Sequence, residues 1–118
     1  MGENELSRDQ VEWACGTYFT NLTMTRARVA DELARGQMVS SHNLGSLLKA
    51  QADWKLYGKL QSDEAYRYDL VGALRETVKE ASRILRNTGR HTDAVDRAQA
   101  EFERHAAAAF LNTWEQYL

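Results

Sequence analysis

The sequence predicts an all-α fold, a bundle of four to five helices, mostly antiparallel, with no strands. Three observations carry this expectation. The 118 residues include no proline, the residue that most strongly breaks a helix. Apolar residues recur at spacings of three and four along most of the chain, the period of a helix with one face turned to a core. Serine, asparagine, aspartate and glycine fall between these stretches, and the short connections they mark make successive helices antiparallel neighbours.

The first helical region runs from about Arg8 to Arg35. Ser7 stands where an N-cap belongs, with Asp9 and Gln10 in the first turn. Val11, Cys15, Tyr18, Leu22, Thr25, Val29 and Leu33 share one face. Thr17 to Thr25, TYFTNLTMT, is rich in β-branched and aromatic residues, which form helices less readily. The region therefore reads either as one helix or as two with a kink near Asn21, Thr23 or Thr25 capping the second. Gly36 is the C-terminal stop.

The second helix is capped by Ser40 or Ser41, carries Leu44, Leu47, Leu48, Trp54 and Tyr57 on its apolar face, and ends near Leu60. QSDEA then restarts the pattern, with Ser62 as the expected N-cap and Asp63 and Glu64 at the positive pole of the helix dipole. Tyr66, Leu70, Leu74, Val78, Ala81 and Leu85 mark one face of this third helix, which ends at RNTGR. The last helix starts at Thr92-Asp93 and takes Val95, Phe102, Ala106, Phe110, Trp114 and Tyr117 to the terminus.

The length favours one domain, residues 1–118, with 1–6 as a flexible tail. A net charge of −2, with 43% hydrophobic and 27% charged residues, argues against a strongly electropositive nucleic-acid binder and against a disordered chain. One cysteine, Cys15, excludes an intramolecular disulfide and a zinc site of several thiolates. MGENELSRDQ is polar and acidic, unlike a secretory signal. No stretch approaches the roughly 18 apolar residues that span a bilayer. The expected setting is cytoplasmic, in a bacterium or in the host of a virus, with no membrane partner.

Little in the chain has the spacing that chemistry needs. A di-iron bundle requires inward Glu-x-x-His pairs, and Glu101, Glu103 and His105 are wrongly spaced; His105 reads as a histidine at the edge of the core beside Phe102 and Ala109. Cys15 reads as a buried, inert thiol. Ser40 and Ser41 are explained by capping, and their neighbour His42 has no partner that would make a triad. No phosphate loop is present. No metal, no cofactor and no catalytic residue follows from these features.

Thr25 to Gln51 has the outline of a helix-turn-helix, with Ala30 and Leu33 inward on a first helix and Leu44, Leu47 and Leu48 inward on a second. The second helix of such a motif enters the DNA major groove. From Thr23 to Gln61 there are six basic and three acidic residues, which permits phosphate contact. Arg26, Arg28, Arg35, Asn43, Ser46, Lys49 and Lys55 are the nucleic-acid-binding candidates. Extended through WKLYGKL, the segment resembles the helical core of phage small terminase subunits, on Leu33 to Gly36, Met38, Val39 and Leu47 to Leu60. That resemblance implies a ring-forming homo-oligomer that binds duplex DNA, regulates a larger enzyme and has no catalytic residues of its own.

RNTGRH, Arg86 to His91, is Arg-Asn-x-x-x-His and resembles the short signature of the HEPN ribonucleases. Here the resemblance implies metal-independent RNA cleavage across a dimer, with Arg86 and His91 catalytic and Asn87 supporting. His would act as acid or base, and Arg would hold the scissile phosphate. The competing explanation is a helix C-cap at Asn87 and Gly89 followed by an N-cap at Thr92. Finally, Phe110, Trp114, Tyr117 and Leu118 at the chain end are interface candidates, unless they complete the core. The leading expectation is a non-catalytic binding or assembly module, most concretely a DNA-packaging oligomer. A HEPN-like ribonuclease and a small regulatory or inhibitory protein acting on a larger protein partner are the alternatives.

Overall fold

A computed structural model of the chain describes residues 5–87 and 93–118. Four α-helices span Arg8–Ala34 (α1), Ser41–Ser62 (α2), Leu70–Arg86 (α3) and Ala94–Trp114 (α4), with 3-10 turns at Glu64–Arg67 and Glu115–Tyr117. No strand occurs among the described residues.

α1 is unbroken through Asn21. Thr17, Thr23 and Thr25 turn their hydroxyls back onto the carbonyls of Trp13, Phe19 and Asn21 at 2.9–3.0 Å, so their polar groups are satisfied inside the helix rather than at a new cap. Tyr18 and Phe19 pack on the rings of Tyr57 and Trp54, and this tertiary contact outweighs weak local propensity. Ser7 holds the N-cap position without a side-chain cap bond. Arg8 ties down this end instead, donating to the carbonyls of Tyr66 (2.8 Å) and Arg67 (3.2 Å) and lying over the Tyr66 ring. Leu6 also packs against the core, so packing reaches into the segment expected to be a tail.

The corner after α1 turns on Gly36, whose φ of +70° suits a residue without Cβ. The Glu32 carboxylate gathers the far side. It accepts from the Ser40 amide (2.7 Å), the Ser40 hydroxyl and the Asn43 side chain, while Ser40 Oγ caps α2 by accepting from the Asn43 amide (3.1 Å). Glu32 meets Asn43, Phe19 meets Trp54 and Tyr18 meets Tyr57. As one number falls the other rises, so α1 and α2 form a long antiparallel hairpin.

α2 continues through Ser62, which is its last residue rather than the cap of the next helix. Asp63 accepts from the Ala65 amide and opens a 3-10 turn that includes Tyr66; Asp69 accepts from the Gly72 amide (3.0 Å) and caps α3. A Cβ at Gly72 would run into the Asp69 carboxylate, so glycine lets this cap close. Asp93 caps α4 through the Val95 amide (2.8 Å), and α4 yields to a 3-10 turn after Trp114. The expected cap residue Thr92 lies outside the described residues.

α2 is the central element, packed on α1, α3 and α4, and α3 packs on α4. Lys55 meets Glu103 and Tyr57 meets Phe110, so α2 and α4 run parallel across a diagonal. The core joins Val11, Ala14 and Cys15 of α1 to Leu56, Tyr57 and Leu60, to Leu74 and Ile84, and to Phe110 and Trp114. Phe110 (1% exposed) and Trp114 (4%), candidates for either an interface or the core, are buried in the core. The Trp114 indole N–H donates to the Tyr57 hydroxyl at 2.9 Å, so its one polar group is satisfied inside. Tyr117 is half-buried and Leu118 is exposed. Leu33 (61% exposed) and Leu44 (45%), expected to face inward, do not. Buried residues on α1 run from Val11 to Thr25 and on α2 from Ala50 to Leu60, and the corner end of the hairpin lies beyond them.

Candidate functional site: a cleft between the first and last helices

Chain order and direction make this an up-down-up-down arrangement, in which α1 and α4 would ordinarily share an edge. Here they run antiparallel, yet their backbones hardly approach. α4 leans onto α2 instead, and the missing edge becomes a cleft floored by α2.

Three helical stripes line its wider part, a cavity of about 760 Å³. Tyr18, Asn21, Thr25 and Arg28 come from α1, Ser46, Lys49 and Asp53 from α2, and Phe102, His105, Ala106 and Ala109 from α4. Spacings of three and four put each set on one face of its helix. Tyr18 also lines a second cavity of about 560 Å³, whose lining includes Asp9, Trp13, Tyr57, Trp114 and Tyr117. The two cavities share Tyr18 and follow one another along the α1–α4 edge, and the character of this cleft changes from one to the other.

The narrow end is aromatic. Tyr18 stacks on Tyr57 with ring centroids 4.3 Å apart, and Tyr117 sits against Trp114. Trp13, 74% exposed, stands open beside them. The wide end is mixed: Phe102, Ala106 and Ala109 line it beside the charged Arg28, Lys49 and Asp53. Burial pushes the Asp53 carboxyl above its ordinary range, and the neighbouring Lys49 ammonium opposes that shift. Arg28 makes no hydrogen bond or ion pair among the described residues. Thr25 is buried, and its hydroxyl is already spent on helix carbonyls. His105 is not at the core edge as expected: its side chain is 80% exposed, with its ring 3.7 Å from Glu101.

The nucleic-acid candidates separate. Arg28, Ser46 and Lys49 meet in the cleft. Arg26 is exposed outside its lining, and Arg35 pairs with Asp31 at 3.3 Å. Asn43 is engaged by Glu32 at the corner. Lys55 lies on another face of α2, paired with Glu103 at 3.4 Å. Asp53 was not among the expected site residues, and His105, expected at the core edge, lines the cleft instead. The signal available for Asp53 was its place four residues after Lys49 on the stripe that includes Ser46.

The remaining chemical candidates are placed as follows. Arg86 is the exposed last residue of α3. Asn87 follows as its C-cap, its amide donating to the Ile84 carbonyl and its own carbonyl accepting from Arg104. His91 lies outside the described residues. Cys15 is fully buried, and its thiol is pushed up to about 11, chiefly by burial and secondly by Glu12. No cluster of three metal-ligating side chains occurs among the described residues. None of their helices is long and apolar enough to cross a membrane. No protein-family model, curated protein or solved structure matches the chain.

Proposed function

We propose that this protein is a non-catalytic binding and assembly module whose working surface is the cleft between α1 and α4. The observation that carries this reading is the open bundle edge. Side chains that a closed bundle would cover there are left facing solvent, notably Trp13 at one end and Arg28 at the other. An exposed tryptophan beside a ring-lined groove is the kind of anchor that binding surfaces use. The non-catalytic part is supported by the state of the groups that could act. Cys15 is sealed in the core with a raised pKa, and the cleft histidine faces a carboxylate rather than a nucleophile.

The most concrete form remains a self-associating DNA-binding protein akin to the small terminase subunits, favoured by the meeting of Arg28, Ser46 and Lys49 in one place. A helix, about 10–12 Å across, suits a groove between two helices on a third better than a duplex does, so a protein segment is the preferred occupant. The forms are separated by sedimentation over a concentration series together with titration of a labelled duplex at several salt concentrations. Duplex binding that weakens with salt and is reduced by Lys49→Gln supports the DNA form. A monomer without salt-dependent binding removes it. Metal-independent RNA cleavage that disappears in His91→Ala overturns the non-catalytic reading altogether.

A further inference from the structure

We infer that the cleft takes one amphipathic helix of a partner protein, with aromatic or leucine anchors at one end and acidic side chains at the other, the acidic end lying against Arg28 and Lys49. This rests on the cleft being the working surface, and it follows from how charge and apolar area are distributed along it. The rings of Trp13, Tyr57, Trp114 and Tyr117 line one end, Tyr18 lies where the two ends meet, and Phe102 is the one apolar ring of the other end's lining. The cations Arg28 and Lys49 line that other end.

The negative groups set direction. The exposed Asp9 lines the aromatic end, where it repels an acidic partner group and so disfavours the reversed placement. Asp53 sits between the ends on the floor, drawing on Lys49, and Glu101 faces His105 from α4. Arg28 therefore keeps the least compensated charge in the cleft. A nucleic-acid strand repeats its phosphate at every nucleotide and needs cations along the whole track. Here a strand would meet carboxylates at Asp9 and Asp53. A ligand with its negative charge confined to one end fits the pattern.

Spacing gives the register. Tyr18 and Arg28 are ten positions apart on α1, about 15 Å along a helix. A partner helix lying alongside would carry its acidic group about three turns from its apolar anchor.

The test uses the intact chain and synthetic helical peptides with leucine and tryptophan in the first turns and glutamate about three turns on. Binding is followed by backbone amide shifts and by titration. The expected result is a set of shifts confined to the α1 and α4 walls and the α2 floor. Replacing the peptide's glutamates by lysine should weaken binding about tenfold or more, as should Arg28→Glu in the protein, and combining the two changes should restore it. Trp13→Ala should weaken every peptide alike. These positions are exposed, and circular dichroism confirms that each variant is folded. An acidic peptide that binds no better than its lysine counterpart overturns the inference. So does a single-stranded oligonucleotide that binds the cleft more tightly, or self-association that maps to it, and either of these results leaves the module reading standing. If no probe and no second copy shifts the cleft residues, both fall.

Discussion

Tyr57 connects the hairpin to the last helix. It stacks on Tyr18, meets the edge of Phe110, and accepts from the Trp114 indole; burial pushes its phenol well above the ordinary range. Trp114→Phe keeps most of the ring volume but leaves a buried hydroxyl without its donor, so it should cost about 1–3 kcal/mol, read as a lower urea midpoint at unchanged slope. Cys15 is the quiet counterpart. With its thiol near 11, only about one molecule in a thousand is thiolate at pH 8. Alkylation in the native protein should therefore be far slower than in urea-unfolded chain, and comparable rates would contradict its burial. Asp53 has a pH signature. Its folded-state pKa is raised above 3.8, chiefly by burial, so the native state holds a proton that the unfolded chain releases. Its contribution to stability thus declines as pH rises through and above that value, and the deficit persists at neutral pH. Asp53→Asn should be more stable than the parent at pH 7 and show no such gain near pH 3, in paired denaturation curves. Of these three roles only that of Cys15, a buried and inert thiol, could be read from the sequence. Cys15 was placed on an apolar face by its spacing, but the cover over it, and the half-burial of Asp53, depend on helices far along the chain.

At the level of elements, the existence of the helices was legible and several of their ends were not. The apolar period located all four. Propensity raised a kink in α1 that does not form, because Thr17, Thr23 and Thr25 satisfy their hydroxyls within the helix and two rings find partners on α2. Ser62 carried the right residue type for a cap, followed by two acids. The real caps are the aspartates at 63 and 69, and a helix continuing through serine costs too little for sequence to reveal the difference. The corner between α1 and α2 was well anticipated at Gly36 and Ser40. What spacing could not reveal was Glu32 reaching across it. Ser40→Ala should lose about 1 kcal/mol through the cap. Glu32→Ala should destabilise the same corner, and the double variant should cost less than the sum, because both act through one network.

For the whole molecule, the bundle class was legible from composition and period. The cleft was not, since the separation of α1 from α4 depends on how each of them packs on α2 rather than on either helix alone. The C-terminal segment belongs to this scale as well. Phe110 and Trp114 close the core that joins all four helices, so deleting Trp114 to Leu118 should cause cooperative loss of the whole fold, not a folded protein that has merely lost a binding partner. The open edge bears on motion too. Beyond Leu22 and Thr25, α1 has no buried side chain, and its far half leans mainly on α2, while Arg8 anchors its beginning to the α2–α3 connection. Amide protons from about Arg26 to Ala34 should exchange with deuterium well before those of α2 and α3, and a helix bound alongside α1 should slow that exchange from one end. Occupancy of the cleft would then be visible as protection of backbone that the occupant does not itself touch.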